Sequence, residues 1–140
     1  MAQRLPTKPS TVGVKSLIAK LSLDVHAIAN VLKLILPAEV TNKRFSTDTS
    51  LNSLLELLES FCVHPDQDVF MEVVNRSLTI LETSSSLGEI YGILAAIFYS
   101  CRKPLLTLEY LTYAKVISPT SPLIQELDKK LREYLSWHPI

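Results

Sequence analysis

The residue types that most often perform chemistry in proteins are few in this chain, and they do not form a site. His26, His64 and His138 share no spacing that would let them hold a metal ion. Cys62 and Cys101 each lie within an apolar run, with neither a CxxC spacing nor a nearby histidine pair. This pattern predicts buried, unreactive thiols in a reducing compartment. We therefore expect no metal ion, no cofactor and a cytoplasmic location.

Motifs for phosphate binding and covalent catalysis are also missing from the sequence. No GxGxxG, GxxxxGK[ST], HExxH or GxSxG pattern occurs. Because the chain has only three glycines, a loop that wraps a phosphate with backbone amides is hard to build. Paired acid and base groups suited to catalysis are not visible either. The sequence predicts that the protein is not an enzyme.

Composition indicates one folded domain without nucleic-acid or membrane-spanning function. The chain has 140 residues, of which 47% are hydrophobic and 20% charged, so the body of the chain should fold. Fourteen basic residues balance fourteen acidic ones, which leaves no net positive field to attract a phosphate backbone. The longest strongly apolar run, residues 90–101, holds twelve residues, whereas crossing a bilayer takes about 20.

Apolar residues recur at helical spacing from the N-terminal region onward. The first stripe runs from Val14 to Leu36 and ends at Pro37. Ser22 could cap a second helix within this stretch, so one helix and two helices both remain open. We expect residues 1–11 to form a disordered tail and residues 12–140 to form a single domain.

Stripes and capping residues predict further helices along the rest of the chain. Asp66, Ser86 and Ser121 are predicted caps, Glu89 completes a capping box with Ser86, and Pro104 fits the first turn of a helix. The third predicted helix covers residues 67–83. No window shows the strict alternation typical of strands. The fold class is therefore predicted to be all-α, with six or seven helices in antiparallel order.

Residues 86–119 carry a spacing that is more specific than general amphipathicity. Large, small and aromatic residues follow a set order there: Tyr91, Leu94, Ala95, Phe98, Thr107, Leu111, Ala114 and Pro119. This order resembles the tetratricopeptide repeat, a 34-residue helix-turn-helix unit whose small residues let two helices pack closely. Ala95 replaces the usual glycine and Thr107 the usual alanine, and both are small. The resemblance implies a TPR-like stack of antiparallel helix pairs, and an unrelated helical bundle is the alternative.

The same resemblance implies a partner-binding face on the first helix of the repeat. Its positions are Glu89, Gly92, Ala96, Tyr99 and Ser100. Together they predict a shallow apolar groove with an aromatic wall, suited to a helix from a protein partner. The competing interpretation is that Gly92 and Ala96 simply pack against the chain's own helices.

In size, neutral charge and architecture the chain resembles the small repeat-type chaperones of bacterial type III secretion, including those that hold the needle subunit. The implied function is a non-enzymatic protein-binding module that holds an apolar or amphipathic helix in a concave groove. A hetero-oligomer or homo-oligomer is expected, because apolar surface should remain uncovered. The alternative is a structural subunit of a larger complex that docks through its N-terminal helix.

Overall fold

Helices account for nearly all of the chain that the structure, a computed structural model, describes: residues 24–36, 49–83 and 88–137. There are six in these ranges: α1 (Val25–Ile35), α2 (Thr49–Val63), α3 (Gln67–Thr83), α4 (Gly88–Ser100), α5 (Pro104–Ile117) and α6 (Pro122–Trp137). No strand occurs in these ranges, which confirms the all-α fold class. The predicted tail over residues 1–11 and the capping serine Ser86 lie outside the described residues.

The central element is α4, which contacts α1, α3, α5 and α6. Eleven of its thirteen residues are buried, and only Glu89 and Tyr99 are partly exposed. A helix that is apolar on every side is stable only when other elements cover every side. The uninterrupted apolar run of the sequence is therefore the central core helix of the fold.

The most extensive helix contact joins α4 to α5. A Cβ atom on Gly88 would lie 2.7 Å from the Cβ of Ser118 and 3.1 Å from the carbonyl oxygen of Ala114. The start of α4 can approach the end of α5 this closely because Gly88 has no side chain. Ala95 and Ala114 are fully buried, as the repeat-like spacing predicts. Stacking of the tetratricopeptide type stays a prediction.

The N-terminal helix begins at Val25 rather than further upstream. Asp24 has an extended backbone (φ −101°, ψ 93°), and its Oδ1 accepts a hydrogen bond from the amide of Ala27 at 3.1 Å. An extended residue interrupts a helix, so Val25–Ile35 is a separate helix capped by Asp24. The stretch from Val14 to Leu36 is therefore not one continuous helix, and Asp24 caps the helix over its second half. Residues 14–23, with the predicted cap Ser22, lie outside the described residues.

The apolar stripe of α1 belongs to the core. Ile28, Leu32 and Ile35 are at most 3% exposed, and α1 contacts α2, α4 and α6. Burying one such side chain stabilises a fold by about 1.5–3 kcal/mol, so detaching this helix would be very unfavourable. The chain itself therefore covers the described half of the N-terminal stripe, the surface to which the alternative hypothesis assigns docking.

The remaining helix boundaries follow local signals. The Oδ1 of Asp66 accepts hydrogen bonds from the amides of Asp68 at 2.8 Å and Val69 at 3.2 Å, and α3 spans Gln67–Thr83 as predicted. Pro104 opens α5, where its missing amide donor is not needed. Among the described helices, none is both long and apolar enough to cross a bilayer.

Candidate functional site

Two of the five predicted site residues, Gly92 and Ala96, lie inside the molecule. Ala96 is fully buried. A Cβ atom on Gly92 would lie 2.7 Å from Cδ1 of Ile124 and 3.2 Å from Cδ1 of Leu127, both on α6. The predicted groove at these positions is therefore wrong, because α6 of the same chain packs directly against Gly92. The competing interpretation, close packing of the chain's own helices, is correct.

Glu89 lies in the first turn of α4, away from the other predicted residues. Its carboxylate is favourably placed near the positive end of the helix dipole. The Oε2 atom is buried and accepts no hydrogen bond from a described residue. Tyr99 is ten positions after Glu89, which corresponds to about 15 Å along a helix. Glu89 is not part of a common site with Tyr99.

Tyr99 and Ser100, at the opposite end of α4, line a surface cavity of about 520 Å³. We call it the Tyr99 cavity. Its described lining comes from α1, α4, α5, α6 and the connection between α4 and α5: Ala27, Val31, Tyr99, Ser100, Arg102, Pro104 and Leu135. Most of this lining is apolar.

The hydroxyl groups of Ser100 and Tyr99 have different surroundings. The hydroxyl of Ser100 donates a hydrogen bond to the carbonyl oxygen of Ile97 at 2.7 Å, which directs it back to its own helix. The ring of Tyr99 stacks on that of Tyr134 with centroids 6.2 Å apart and planes at 27°. Burial, with a smaller contribution from Tyr134, raises the pKa of Tyr99, so its hydroxyl is neutral at physiological pH. Tyr99 thus forms a rigid aromatic wall of the cavity.

Arg102 supplies the positive charge of the Tyr99 cavity. It follows the end of α4, where its amide donates to the carbonyl of Tyr99 at 3.0 Å and the amide of Lys103 donates to that of Phe98 at 2.9 Å. These two bonds form a Schellman motif, in which the residue at the Arg102 position adopts a left-handed backbone. Arg102 has φ 63° and is exposed, and it forms no ion pair with a described residue.

A second, smaller depression adjoins the Tyr99 cavity. This Leu108 cavity, of about 300 Å³, is lined by Leu108, Arg132, Leu135 and Ser136 among the described residues. Leu135 lines both cavities, so they are neighbours on the surface. Leu105, next to Pro104, is 68% exposed and adds apolar surface at this end of the molecule. The two cavities thus share the side chain of Leu135, and Leu105 follows a lining residue of the Tyr99 cavity in the chain.

The described residues hold no arrangement suited to redox or metal chemistry. No group of three His, Cys, Asp or Glu side chains among them could hold a metal ion. Cys62 is buried and Cys101 half-buried, and burial raises the pKa of both thiols, that of Cys101 to about 11. A thiol becomes nucleophilic as the thiolate, so both side chains are poorly reactive at neutral pH.

Sequence reasoning missed Ala27, Val31, Arg102 and Leu135 as cavity residues. Leu135 was recognisable only as part of the apolar stripe of the last helix, and Ala27 and Val31 lie between the positions of the first stripe and were not singled out. A signal for Arg102 exists, because a helix that ends shortly before Pro104 usually has glycine or asparagine in that position.

Comparisons of the chain with protein-family models, curated proteins and solved structures find no match.

Proposed function

We propose that the protein is a non-enzymatic protein-binding module that takes an apolar side chain of a partner segment into the Tyr99 cavity. The function class is the one expected from the sequence, but the proposed site lies at the C-terminal end of α4 and not at Gly92 and Ala96. One observation carries the proposal: a largely apolar cavity of about 520 Å³ opens on the surface, and Pro104 in its lining is followed in the chain by an exposed leucine, Leu105.

The dimensions of the surface favour a segment with more than one anchor. Ligand-binding cavities commonly measure about 300–1,000 Å³, and the Tyr99 cavity lies in this range. Burying one leucine or phenylalanine side chain contributes about 1.5–3 kcal/mol, whereas micromolar affinity needs about 8 kcal/mol. Further contacts at Leu105 and the Leu108 cavity are therefore required. An amphipathic helix, whose apolar side chains recur on one face, provides them.

The type III secretion chaperone function remains a prediction of the resemblance in size and architecture. Such a chaperone would bury the apolar face of its client, and the surface at the Tyr99 cavity is where we propose that this contact occurs. Binding to a partner is also the expected role if the protein is a subunit of a larger assembly. Both cases require the Tyr99 cavity to be open to an incoming side chain.

A peptide selection against a blocked cavity tests the proposal. A displayed library of random 16-residue peptides is selected on the full chain and on an Ala27→Trp variant, whose indole should fill the Tyr99 cavity. Asn30→Trp, at another exposed position of α1 that does not line the cavity, is the matched control. Circular dichroism checks that all three proteins are folded.

We expect peptides rich in leucine, isoleucine or phenylalanine to be enriched on the wild-type chain and on Asn30→Trp. Selection on Ala27→Trp should not enrich these peptides, and individual sequences should bind this variant with a dissociation constant at least tenfold higher. Equal enrichment on all three proteins, or no enrichment on the wild type, would contradict the proposed function.

A further inference from the structure

We propose that Arg102 makes the Tyr99 cavity selective for partner segments in which an aspartate or glutamate carboxylate lies beside the apolar anchor. This inference rests on the proposed function and names the chemistry of the partner. It assigns Arg102 a recognition role that neither the helical periodicity nor the repeat-like spacing indicated.

The charged residues among the described lining of the two cavities are both arginines. Arg102 is the charged residue among the described lining of the Tyr99 cavity, and Arg132 is its counterpart in the Leu108 cavity. No acidic side chain is among the described residues that line either cavity. The whole chain carries fourteen basic and fourteen acidic residues, so this basic character is local. A partner with acidic side chains matches this distribution of charge.

Among the described residues, Arg132 of these two arginines is already paired with a carboxylate, and Arg102 is not. The Nε of Arg132 already binds Oδ1 of Asp128 at 2.6 Å, and the same carboxylate lies 3.4 Å from Nζ of Lys115. Arg102 has no such ion pair with any described residue. An arginine guanidinium offers a planar pair of donors that matches the two oxygens of a carboxylate. Its position at an apolar cavity favours this pairing, because water is partly displaced when a partner binds.

The backbone at Arg102 supports a role for its side chain. With φ 63°, Arg102 occupies the left-handed region that glycine adopts without steric strain. Glycine would satisfy the same Schellman motif, so an arginine there is unfavourable for the helix end itself. Strained positions of this kind cluster at sites where the side chain is needed for function.

A carboxylate fits this site better than a polyanion does. Phosphate groups and nucleic acids are usually bound by clusters of several cations or by many phosphate contacts. At the Tyr99 cavity one free guanidinium stands beside mainly apolar side chains. The recognised unit is therefore one negative charge next to a bulky apolar group, as in a Leu-Glu or Phe-Asp pair on one face of a partner helix.

Exchange of the charge at Arg102 tests the inference with the same 16-residue library. Selections are run on the wild-type full chain, Arg102→Gln and Arg102→Glu, with Lys103→Gln as the matched control, since Lys103 is the neighbouring cation but does not line the cavity. We expect Asp or Glu beside the apolar anchor on the wild type and on Lys103→Gln. Arg102→Gln should keep the apolar preference without the acidic one, and Arg102→Glu should select Lys or Arg.

Binding of individual peptides then gives the magnitude. We expect Arg102→Gln to bind the tightest acidic peptide about tenfold more weakly than the wild type does. For the same peptide with its glutamate replaced by glutamine, the two proteins should have dissociation constants within about twofold of each other. An acidic preference that is equal on the wild type and Arg102→Gln would overturn the inference, and so would apolar peptides without acids on the wild type. In both cases the proposed function survives if Ala27→Trp still abolishes selection. If Ala27→Trp enriches the same peptides as the wild type, the proposed function itself is contradicted.

Discussion

Arg102 shows a conflict between what its backbone favours and what its side chain can provide. Replacing it by glycine should stabilise the folded state by about 1–2 kcal/mol, because glycine adopts the left-handed conformation without strain. The greater conformational entropy of glycine should stabilise the unfolded state by about 0.5–1 kcal/mol. We therefore expect Arg102→Gly to raise the free energy of unfolding in urea by about 0.5–1 kcal/mol. The same variant should bind acidic peptides about tenfold more weakly.

The control for this prediction is Arg102→Ala, which removes the guanidinium but keeps the side chain that strains a left-handed residue. It should weaken peptide binding like Arg102→Gly and should not gain stability. Equal stability of the glycine and alanine variants would show that the backbone at this position is not strained.

Cys101 provides a test of burial at a single residue. Burial raises the pKa of its thiol from 9.0 to about 11, with smaller opposing effects of Ser100 and Lys103. At pH 8 the thiolate fraction should then be about a hundredfold lower than in the unfolded chain, because two pKa units separate the two states. We expect iodoacetamide to alkylate Cys101 slowly at pH 8, and increasingly fast up to pH 11, in mass spectra of the native protein. Alkylation at pH 8 that is equally fast with and without urea would be the contrary result.

Residues whose role is local could be predicted from the sequence, and residues whose role depends on other helices could not. Asp66 and Pro104 act through their own turn of helix, and both predictions are confirmed. Tyr99 and Gly92 were predicted to line one groove, but Tyr99 is partly exposed and Gly92 is buried. A small residue indicates that something packs closely there, but the sequence does not say whether that neighbour is another chain or the same one.

At the scale of helices, the two glycines of α4 make different contacts. A Cβ on Gly88 would clash with the Cβ of Ser118, which moves only with the backbone, whereas at Gly92 it would meet the end of the Ile124 side chain. We expect Gly88→Ala to lower the free energy of unfolding by about 1–3 kcal/mol. Gly92→Ala should be less destabilising, because the side chain can shift and alanine favours the helix by about 1 kcal/mol.

Urea unfolding followed by circular dichroism measures both effects. Asn75→Ala, on the exposed face of α3, is the control for helix propensity and should change stability by less than about 0.7 kcal/mol. If Gly88→Ala were as stable as the wild type, the close approach of α4 and α5 would not depend on this glycine.

The helices themselves were predictable because the apolar periodicity, the capping residues and the prolines that define each helix all lie within its own segment of the sequence. The arrangement of α1 and α6 around α4 was not, since twelve residues separate Leu36 from Thr49 and do not fix where α1 packs. The stripe of α1 was therefore open to two interpretations, docking surface or core, and its burial against α2, α4 and α6 shows that its described half is core. The Tyr99 cavity depends on this arrangement and could not be derived beforehand.

At the scale of the whole molecule, burial of ionisable groups predicts sensitivity to alkaline pH. Burial raises the pKa of Cys101 from 9.0 to about 11 and, with smaller effects of neighbouring groups, that of Tyr110 from 10.0 to about 12. The folded state holds these protons more tightly than the unfolded state does. This contribution to stability is complete below pH 9 and is lost as the pH rises from about 9 to 12.

We expect the urea midpoint to be nearly constant from pH 7 to 8.5 and to fall clearly by pH 10.5. In a variant with both Cys62→Ala and Cys101→Ala the decline should begin at a higher pH, because the two buried thiols, which titrate from pH 9 in the unfolded chain, are absent. A midpoint at pH 10.5 that equals the midpoint at pH 8 would contradict the burial of these groups.

Methyl-resolved NMR shows directly whether a partner side chain enters the Tyr99 cavity. The full chain is titrated with the tightest peptide from the selection, and methyl shifts are followed. We expect the largest shifts at Ala27, Val31 and Leu135, and none of this pattern in Ala27→Trp. Shifts confined to the exposed methyl groups of Leu34 and Val63, with the cavity methyl groups unchanged, would contradict it.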